Sequence, residues 1–465
     1  MITPIILSQQ GRYLEGDTDT PISLFLRNPQ GILLESAEVD GRWGRYSILA
    51  TGCLLTINCV AGKLQLEIKD QRLASLAALE GQPFLEGLRE VMKAITIETA
   101  PAFANQPAIT RGLYGYLGYG IAGLTLKRLA KVIPAEEAEA CLILPSRVVI
   151  FDHLYNRVAE LVLTETHDEA APPLERETFD VGEISESSTP EEYMRRVEFI
   201  KEQLRQGEAI QVVLSTHFEA DFQGEPFALY RRLRRINPSP YLFFMDLPET
   251  TLMGSSPELL IRCSANQLQL SPIAGTRKRG KTEEEDAKLA VDLLQDPKER
   301  AEHLMLVDLG RNDLGRLARP GTVKVERLME VERFSHVMHL TSRVTAQLNP
   351  TLDAVDVISA TFPAGTVSGA PKVRAMEIIA ETEKRPRGPY AGSIGWLGLD
   401  KDTVNLDMGI TIRSLWIKDG KLHWQAGAGI VFDSVPQSEY QECQNKAAIM
   451  KTVIGKAEAP ELLKK

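Results

Sequence analysis

Short stretches in which apolar and polar residues alternate recur along the first third of the chain. They span residues 31–41, 44–70, 112–123 and 146–166. Two segments between them, 70–81 and 83–95, repeat their apolar residues at the spacing of a helix. A period of two predicts half-buried strands, and the turn residues around them favour antiparallel hairpins over a βαβ alternation. The pattern therefore predicts an N-terminal α+β region over residues 1–165.

The pattern changes after residues 166–188, an acidic and turn-rich stretch that we interpret as a linker. The sequence TPEE at 189–192 forms a capping box with proline at the first helical position, which predicts a helix ending at Gly207. Further strands and helices follow, among them a long charged helical region from 282 to 314. We assign residues 189–465 to a second region that carries the candidate chemistry.

The composition narrows the class of protein. The chain has 465 residues, 43% of them hydrophobic, and a formal net charge of −10. This acidic balance argues against a general nucleic-acid or membrane-surface binder, but local charge still allows anionic small molecules. The five cysteines lack CxxC spacing, which fits a reducing compartment and gives no zinc signal. Because we find neither a basic leader nor an apolar run of membrane-spanning length, we expect a cytoplasmic protein.

The segment from Gln425 to Lys446 is the strongest candidate site. Its first half is a glycine-punctuated strand pattern and its second half is a helical pattern. With Ser438 as the helix cap, Glu439, Glu442 and Lys446 lie on one helix face. Carboxylates beside exposed glycine N–H groups suit Mg²⁺ and an anion bound to it. The alternative is a solvated helix with an ion pair between Glu442 and Lys446.

The charged helical region repeats the same Glu-x-x-Glu spacing at Glu299 and Glu302. Two such helices facing one another across a cleft would enclose a single ion. In this interpretation Glu302 and Glu442 bind the ion directly, while Glu299 and Glu439 act through water. A charged helix surface again remains the alternative, because this spacing is common.

Other candidates are individually weaker. The glycine and proline cluster at 362–372 precedes a helical pattern, so its N–H groups suit an anion at a helix N-terminus. It lacks the GxxxxGK[ST] spacing of a P-loop, and a tight structural turn explains it equally well. His339 lies in an apolar context in which a satisfied core histidine is the usual finding. Arg413 ends a strand-like run and Tyr390 precedes one, and neither indicates a role alone.

Specific strings recur in order from about residue 10 to residue 455. They are GDTDTPISLFLR, LLESAEVDGRWGRYS, QVVLS, NPSPYLFFM, GSSPELL, PIAGTRKRG, AEHLMLVDLGRNDLGR, VMHLTSRV, PAGTVSGAPKVRAMEII and QAGAGIVFDSVPQSEYQECQNKA. Together they resemble the anthranilate synthase component I family of chorismate-utilising enzymes.

The resemblance implies two large, mainly antiparallel β-sheets packed as a sandwich, with helices outside. It implies a Mg²⁺-dependent lyase that converts chorismate and ammonia to anthranilate and pyruvate, the first committed step of tryptophan biosynthesis. Glu302 and Glu442 match the family's direct Mg²⁺ ligands, and Glu299 and Glu439 match residues of the ion's water shell. The implied substrate-binding residues are Gln211, Gly275, Thr276, Tyr390, Arg413, Gly427, Ala428, Gly429 and Lys446.

The resemblance also implies catalytic and regulatory residues. Glu258 matches the general acid that protonates the departing hydroxyl, a role that needs a pKa raised by burial. His339 and Thr366 match residues of the second step, in which pyruvate is lost. Since no cysteine lies in a GxCxG nucleophile elbow, we expect ammonia from a separate glutamine amidotransferase subunit. Feedback inhibition by tryptophan is expected from matches at Ser36, Pro240, Tyr241 and Leu242.

Three alternatives remain open. Aminodeoxychorismate synthase component I, of the folate branch, typically carries lysine where this chain has Ala274. Isochorismate and salicylate synthases typically carry a water-activating lysine where this chain has Gln211. A non-catalytic regulatory paralogue is the third alternative, although each matched metal and carboxylate position is intact.

Overall fold

The computed structural model describes residues 3–16, 18–27, 30–36, 44–163, 178–333 and 337–455. These residues form two large and mostly antiparallel sheets with helices around them, which confirms the expected fold class. In chain order the strands are β1 Ile5–Leu14, β2 Ile32–Glu35, β3 Tyr46–Thr51, β4 Leu55–Val60, β5 Lys63–Ile68, β6 Ile95–Thr99, β7 Gly112–Leu117, β8 Glu139–Leu144, β9 Arg147–Asp152, β10 Arg157–Val162, β11 Phe179–Val181, β12 Ser185–Glu186, β13 Gln211–Gly224, β14 Tyr241–Asp246, β15 Thr251–Ser256, β16 Leu259–Ser264, β17 Gln267–Leu270, β18 Ile273–Lys278, β19 Lys324–Arg333, β20 Val337–Gln347, β21 Gly369–Ala370, β22 Ser393–Gly398, β23 Leu406–Ile410, β24 Ser414–Lys418 and β25 Lys421–Ile430.

Helices connect these strands and pack against both sheets, and short 3₁₀ turns complete the connections. The longest 3₁₀ segment, Gln71–Leu79, occupies the first helical pattern of the N-terminal region. None of the described helices is both long and apolar enough to cross a bilayer. The α-helices are α1 Pro21–Arg27, α2 Phe84–Ala94, α3 Ala122–Thr125, α4 Pro190–Arg205, α5 Pro226–Ile236, α6 Glu283–Gln295, α7 Pro297–Gly315, α8 Ala354–Thr361, α9 Gly365–Ser368, α10 Lys372–Glu383 and α11 Pro436–Val453.

The first sheet has the order β11-β13-β25-β24-β15-β14-β2-β3-β9-β10-β1-β6, with β12 and β21 also paired to β13. The second has the order β18-β20-β17-β16-β23-β22-β7-β8-β4-β5, with β19 also paired to β20. Its pairs are antiparallel, and in the first sheet β1 and β6 form a parallel pair. The N-terminal strands thus belong to both sheets. Of the stretch that we interpreted as a linker, residues 166–177 lie outside the described residues, while β11 and β12 pair with β13.

Two large hydrophobic cores hold these layers together, and a small third cluster joins α6 to β20. The larger lies between the sheets and joins residues of both, such as Ile150 of the first and Leu142 of the second. The smaller lies between the first sheet and the helices on its outer face, where Val197 and Ala447 meet the fully buried Trp424. Burial of these apolar side chains is the main favourable contribution to folding.

The structure corrects two helix predictions. The charged region from 282 to 314 is two helices, because Asp296 ends α6 and its carboxylate then accepts hydrogen bonds from Lys298 N and Glu299 N to cap α7. Ser438 is not the cap of α11. That helix begins at Pro436, whose missing N–H fits the first helical position. The capping box of α4 is confirmed.

Strands β13 and β25 are neighbours whose two faces differ. Their even-numbered residues pack into the smaller core under the helices. Their odd-numbered residues, on the opposite face, are mostly polar or glycine, because side chains alternate along a strand. Strand β24 pairs with β25 only as far as Trp424. Along 425–430 no strand of the described ranges pairs with that edge of β25, so the edge is open there.

Candidate active site

Gly427 and Gly429 lie on the polar face of β25, next to the side chains of Tyr390 and Gln211. A Cβ on Gly427 would lie 3.1 Å from the Tyr390 hydroxyl, and one on Gly429 would overlap the Gln211 amide nitrogen. Both glycines are therefore needed for this close approach. Ala428, between them, points into the core under the helices and contributes only its backbone here. Lys446 of α11 donates to the Gly427 carbonyl at 3.1 Å.

A buried ion pair holds this part of the site in place, and sequence reasoning missed it. The carboxylate of Glu383 accepts two hydrogen bonds from Arg387, whose side chain is 1% exposed, and two from Ser215. Arg387 also donates to the carbonyls of Val213 and Val367. The pair thus connects β13 to α9. Its sequence signal was the arginine and proline run before Tyr390.

The guanidinium of Arg387 also lies over aromatic rings. Its central carbon is 4.8 Å from the ring centroid of Tyr119 and 5.7 Å from that of Tyr390. Cation–π contacts at this range are attractive, more so when buried. Arg387 therefore positions the Tyr390 ring as well as the two backbone segments.

Among the carboxyls of the site, Glu258 has the largest pKa shift. It lines a cavity between the start of β16 and the helices α7 and α9. Burial raises its pKa to about 7, while Arg413, Lys446 and the nearby Thr366 hydroxyl favour the charged form less strongly. The Thr366 hydroxyl is buried near Glu258, and both residues line the cavity. Since a carboxyl with this pKa is partly protonated near neutral pH, Glu258 is suited to donate a proton.

Arg413 lies in the turn between β23 and β24 and not at the end of a strand, which corrects the sequence interpretation. Its backbone has a φ of +49°, a region that non-glycine residues adopt rarely. Within the described ranges its guanidinium makes no hydrogen bond or ion pair, and its charge acts on Glu258 and His339. A half-buried cation without a protein partner suits a planar anion such as a carboxylate.

His339, Gly275 and Thr276 form a third group on strands β18 and β20. The imidazole Nδ1 lies 2.9 Å from the Gly275 carbonyl and 3.1 Å from the Thr276 hydroxyl. Burial lowers the His339 pKa and the Gly275 carbonyl raises it by a smaller amount, so the neutral imidazole is favoured. Gly275 has a φ of +69° at a bulge in the ladder, where an added Cβ would lie 3.0 Å from a carboxylate oxygen of Glu299.

The four glutamates come together from α7 and α11. Burial raises the pKa of Glu302, and the charges of Glu299 and Glu442 raise it further. Burial, with the charge of Glu442, likewise raises the pKa of Glu439. Glu299 also accepts from Arg277 at 3.1 Å. These carboxylates repel one another, so the site favours a bound cation.

The alternative seen in the sequence is also present, because Lys446 contacts Glu442 at 2.8 Å across one helical turn. Both side chains are about half exposed, so the pair contributes little stability and can open for a ligand. Among the described residues, no three of the four glutamates have carboxylate oxygens within 4.8 Å of one another. Mg²⁺ needs only one or two protein carboxylates, since water and ligand oxygens complete its coordination.

The glycine and proline cluster at 362–372 forms the short helix α9 and the start of α10. Its lysine, Lys372, donates to the carboxylate of Asp313 at 2.8 Å and to the carbonyl of Thr361. The cluster contributes Thr366 to the cavity beside Glu258. Its lysine forms an ion pair with Asp313 and is therefore not free to bind an anion.

The residues matched to tryptophan binding lie together, away from the glutamates. Strand β2, which ends before Ser36, pairs with β14, which begins at Tyr241, so Leu242 lies opposite Glu35. Leu242 is 1% exposed, and the Tyr241 hydroxyl donates to Asp407. Pro240 and Tyr241 line a cavity together with the residues on either side of Glu258.

Comparison with known proteins gives consistent results. A family model described as chorismate binding enzyme matches residues 57–452. Anthranilate synthase component 1 of Aquifex aeolicus is 42% identical over 94% of this chain and 92% of its own length. The protein of the same name from Acinetobacter calcoaceticus is 40% identical over 94% of this chain and 93% of its own. The crystal structure of anthranilate synthase component I from Streptococcus pneumoniae TIGR4 has a TM-score of 0.72, at 34% identity over 94% of this chain and 99% of that chain.

Proposed function

The chain belongs to the family of chorismate-binding enzymes, and from this membership we propose that it is the large subunit of an anthranilate synthase. It would convert chorismate and ammonia to anthranilate and pyruvate, the first committed step of tryptophan biosynthesis. The observation that carries the proposal is the near full-length similarity to relatives with that name. The candidate active site supports the proposal, because it contains a cationic group, Arg413, a group of four glutamates and a proton donor, Glu258.

Chorismate carries two carboxylates, and the site offers two ways to bind them. The Tyr390 hydroxyl lies beside Gly427 of β25, and Arg413 immediately precedes β24, whose pairing with β25 ends at Trp424. We place the enolpyruvyl carboxylate between these two side chains. The glutamate end would hold Mg²⁺ through Glu302 and Glu442, with Glu299 and Glu439 in its water shell. When bound, the ion neutralises and orients the ring carboxylate. Lys446, Gly275 and Thr276 would complete that end.

Glu258 is proposed as the general acid. The C4 hydroxyl of the ring is a poor leaving group unless it is protonated as ammonia attacks C2. A carboxyl with a pKa of about 7 keeps a proton to donate near neutral pH. His339, whose neutral form is favoured, and Thr366 are proposed to act in the second step, when the ring loses a proton and pyruvate departs.

Two positions support ammonia as the nucleophile. Gln211 is 5% exposed and has no basic nitrogen, so it cannot deprotonate water. Ala274 has no functional group and cannot attack the ring. With these residues at the two positions, we expect the chain neither to form isochorismate nor to aminate the ring at C4.

A separate glutamine amidotransferase subunit is proposed as the source of ammonia. Burial raises the pKa of Cys59, Cys141, Cys263 and Cys443 to about 12. It also raises the pKa of Cys53, the remaining thiol. A thiol that stays protonated is a poor nucleophile, so this chain lacks the means to hydrolyse glutamine by cysteine chemistry.

The function is tested by incubating the purified chain with chorismate, Mg²⁺ and ammonium and identifying the products by mass spectrometry. We expect anthranilate and pyruvate in equal amounts. Glutamine in place of ammonium should give neither product unless an anthranilate synthase amidotransferase subunit is added. Accumulation of aminodeoxychorismate or isochorismate as the main product would contradict the assignment.

Feedback inhibition by tryptophan is proposed at the β2–β14 pair. Ser36→Phe should weaken inhibition by about tenfold or more, because overfilling a packed pocket costs about 1–3 kcal/mol. Activity without tryptophan should change little, since Ser36 lies outside the glutamate and glycine groups. The measurement is the inhibition constant of the ammonia-dependent reaction.

The matched control is Ser264→Phe, at an exposed position of β16, which should leave inhibition unchanged. Absence of tryptophan binding to the wild-type chain in calorimetry would show that these residues have only a structural role.

A further inference from the structure

Two histidines and a glutamate form a group at the far end of the polar face of β13 and β25, apart from the glycines. His423 lies directly opposite Glu219 in the ladder, and His217 is the next residue of β13 on the same face. The His423 Nδ1 is 3.9 Å from a Glu219 oxygen, and the two imidazole centroids are 5.3 Å apart. One ligand atom from each residue lies within 4.8 Å of both others.

The imidazoles lack the partners that buried polar groups normally have. His217 is 5% exposed, and its ring makes no hydrogen bond to any described residue. The His423 Nδ1 is buried and likewise has no hydrogen-bond partner there. Stacking of His423 on Trp416, at 5.7 Å between ring centroids, explains the packing but leaves the buried His423 Nδ1 unsatisfied. A bound ion satisfies such atoms.

We propose that His217, His423 and Glu219 form a binding site for a transition-metal ion of the zinc type. Two imidazole nitrogens and one carboxylate oxygen are the ligand set of three-ligand zinc sites, which leave a fourth position to water. In a tetrahedral site the ligand atoms are about 3.4 Å apart, so modest side-chain rotations suffice. Glu219 is the most exposed of the three, and the ion enters from its side.

This site differs in chemistry from the glutamate group. Mg²⁺ prefers oxygen ligands and binds imidazole poorly, whereas Zn²⁺, Cu²⁺ and Ni²⁺ favour nitrogen. Excess Mg²⁺ should therefore not compete at the histidines. The inference does not depend on the proposed reaction.

Nearby positive charges repel a bound metal ion and should weaken its binding. Lys421 contacts Glu219 at 3.3 Å, and Arg385 and Lys418 act on His423 from neighbouring segments. Metal binding must free Glu219 from Lys421. Lys421→Gln should therefore strengthen binding by about fivefold or more, since it removes a close like charge.

Calorimetry on the full chain, with Zn²⁺ as the titrant and millimolar Mg²⁺ present, tests the site. We expect one ion per chain, with binding at least about tenfold weaker in His423→Gln, since one of three ligands is lost. His153→Gln, at a half-buried histidine in the turn between β9 and β10, and Glu302→Gln are the controls that should leave Zn²⁺ binding unchanged. Glu219→Gln serves as the second variant if His423→Gln fails to fold.

Trp416 provides an independent optical measurement. Its ring lies 5.9 Å from His217 and 5.7 Å from His423, so Cu²⁺ at the site should quench its fluorescence. Trp416→Phe should remove that quenching while calorimetric binding persists. Absence of Zn²⁺ binding to the wild-type chain, or full-strength binding to His423→Gln and Glu219→Gln, would overturn the proposal.

Discussion

Replacing Glu258 by glutamine is expected to lower kcat of the ammonia-dependent reaction by about 10²–10⁴-fold, the usual contribution of a general acid. An amide has the shape of the carboxyl but no proton to give to the leaving hydroxyl. KM for chorismate should change little, because we propose Arg413 and the glutamate end, and not Glu258, as the groups that bind the substrate. Steady-state kinetics at several ammonium concentrations provide the measurement.

The pH dependence distinguishes this role from a structural one. Because burial raises the pKa of Glu258 to about 7, its proton is lost above that pH. At constant free ammonia, wild-type kcat should therefore fall as the pH rises through about 7, and the residual activity of Glu258→Gln should lack this limb. If Glu258→Gln keeps the wild-type kcat and the same fall of kcat above about pH 7, Glu258 is not the general acid.

The same shift makes a prediction for stability. The folded chain holds a proton between about pH 4.5 and 7 that the unfolded chain has released, so stability falls as the pH rises through this window. Glu258→Gln has no buried charge at this position. At pH 8 its free energy of unfolding should therefore exceed that of the wild type by about 3 kcal/mol, at 1.36 kcal/mol per pKa unit. Below pH 4.5 the difference should vanish. Glu98→Gln, at an exposed position of β6, is the control in urea denaturation.

Replacing Arg387 by methionine is expected to reduce the free energy of unfolding by about 3–5 kcal/mol, the usual cost of breaking a buried ion pair. The loss leaves Glu383 as an uncompensated buried charge and frees the carbonyls of Val213 and Val367. Urea denaturation gives the measurement. Because the methionine no longer holds the Tyr390 ring, KM for chorismate should rise as well.

The control is Arg311→Met, which removes an exposed ion pair with Asp308 and should change stability by less than about 1 kcal/mol. Adding Glu383→Gln to Arg387→Met should recover part of the loss, because the unpaired charge disappears. If Arg387→Met is as stable as Arg311→Met, the ion pair does not hold the site together.

Local patterns in the sequence determined much of the secondary structure. The TPEE capping box places the start of α4, and Gly207, with a φ of +78°, follows its end. The spacing of Glu439 and Glu442 puts both on one face of α11, although the helix begins two residues before Ser438. Such features depend on hydrogen bonds and periodicities within a few residues, so they can be identified in the chain itself.

Only the tertiary structure decided how these elements create a site. Nothing near Gln425 in the sequence shows that β24 ends its pairing at Trp424 and leaves the next residues of β25 with an open edge. The pKa of Glu258 depends on burial by distant elements, and the Glu383–Arg387 pair acts on strands far away in sequence. Burial and charge proximity are set by long-range packing, in which residues hundreds of positions apart become neighbours. The sequence therefore identified the candidate side chains, and the fold decided their environment.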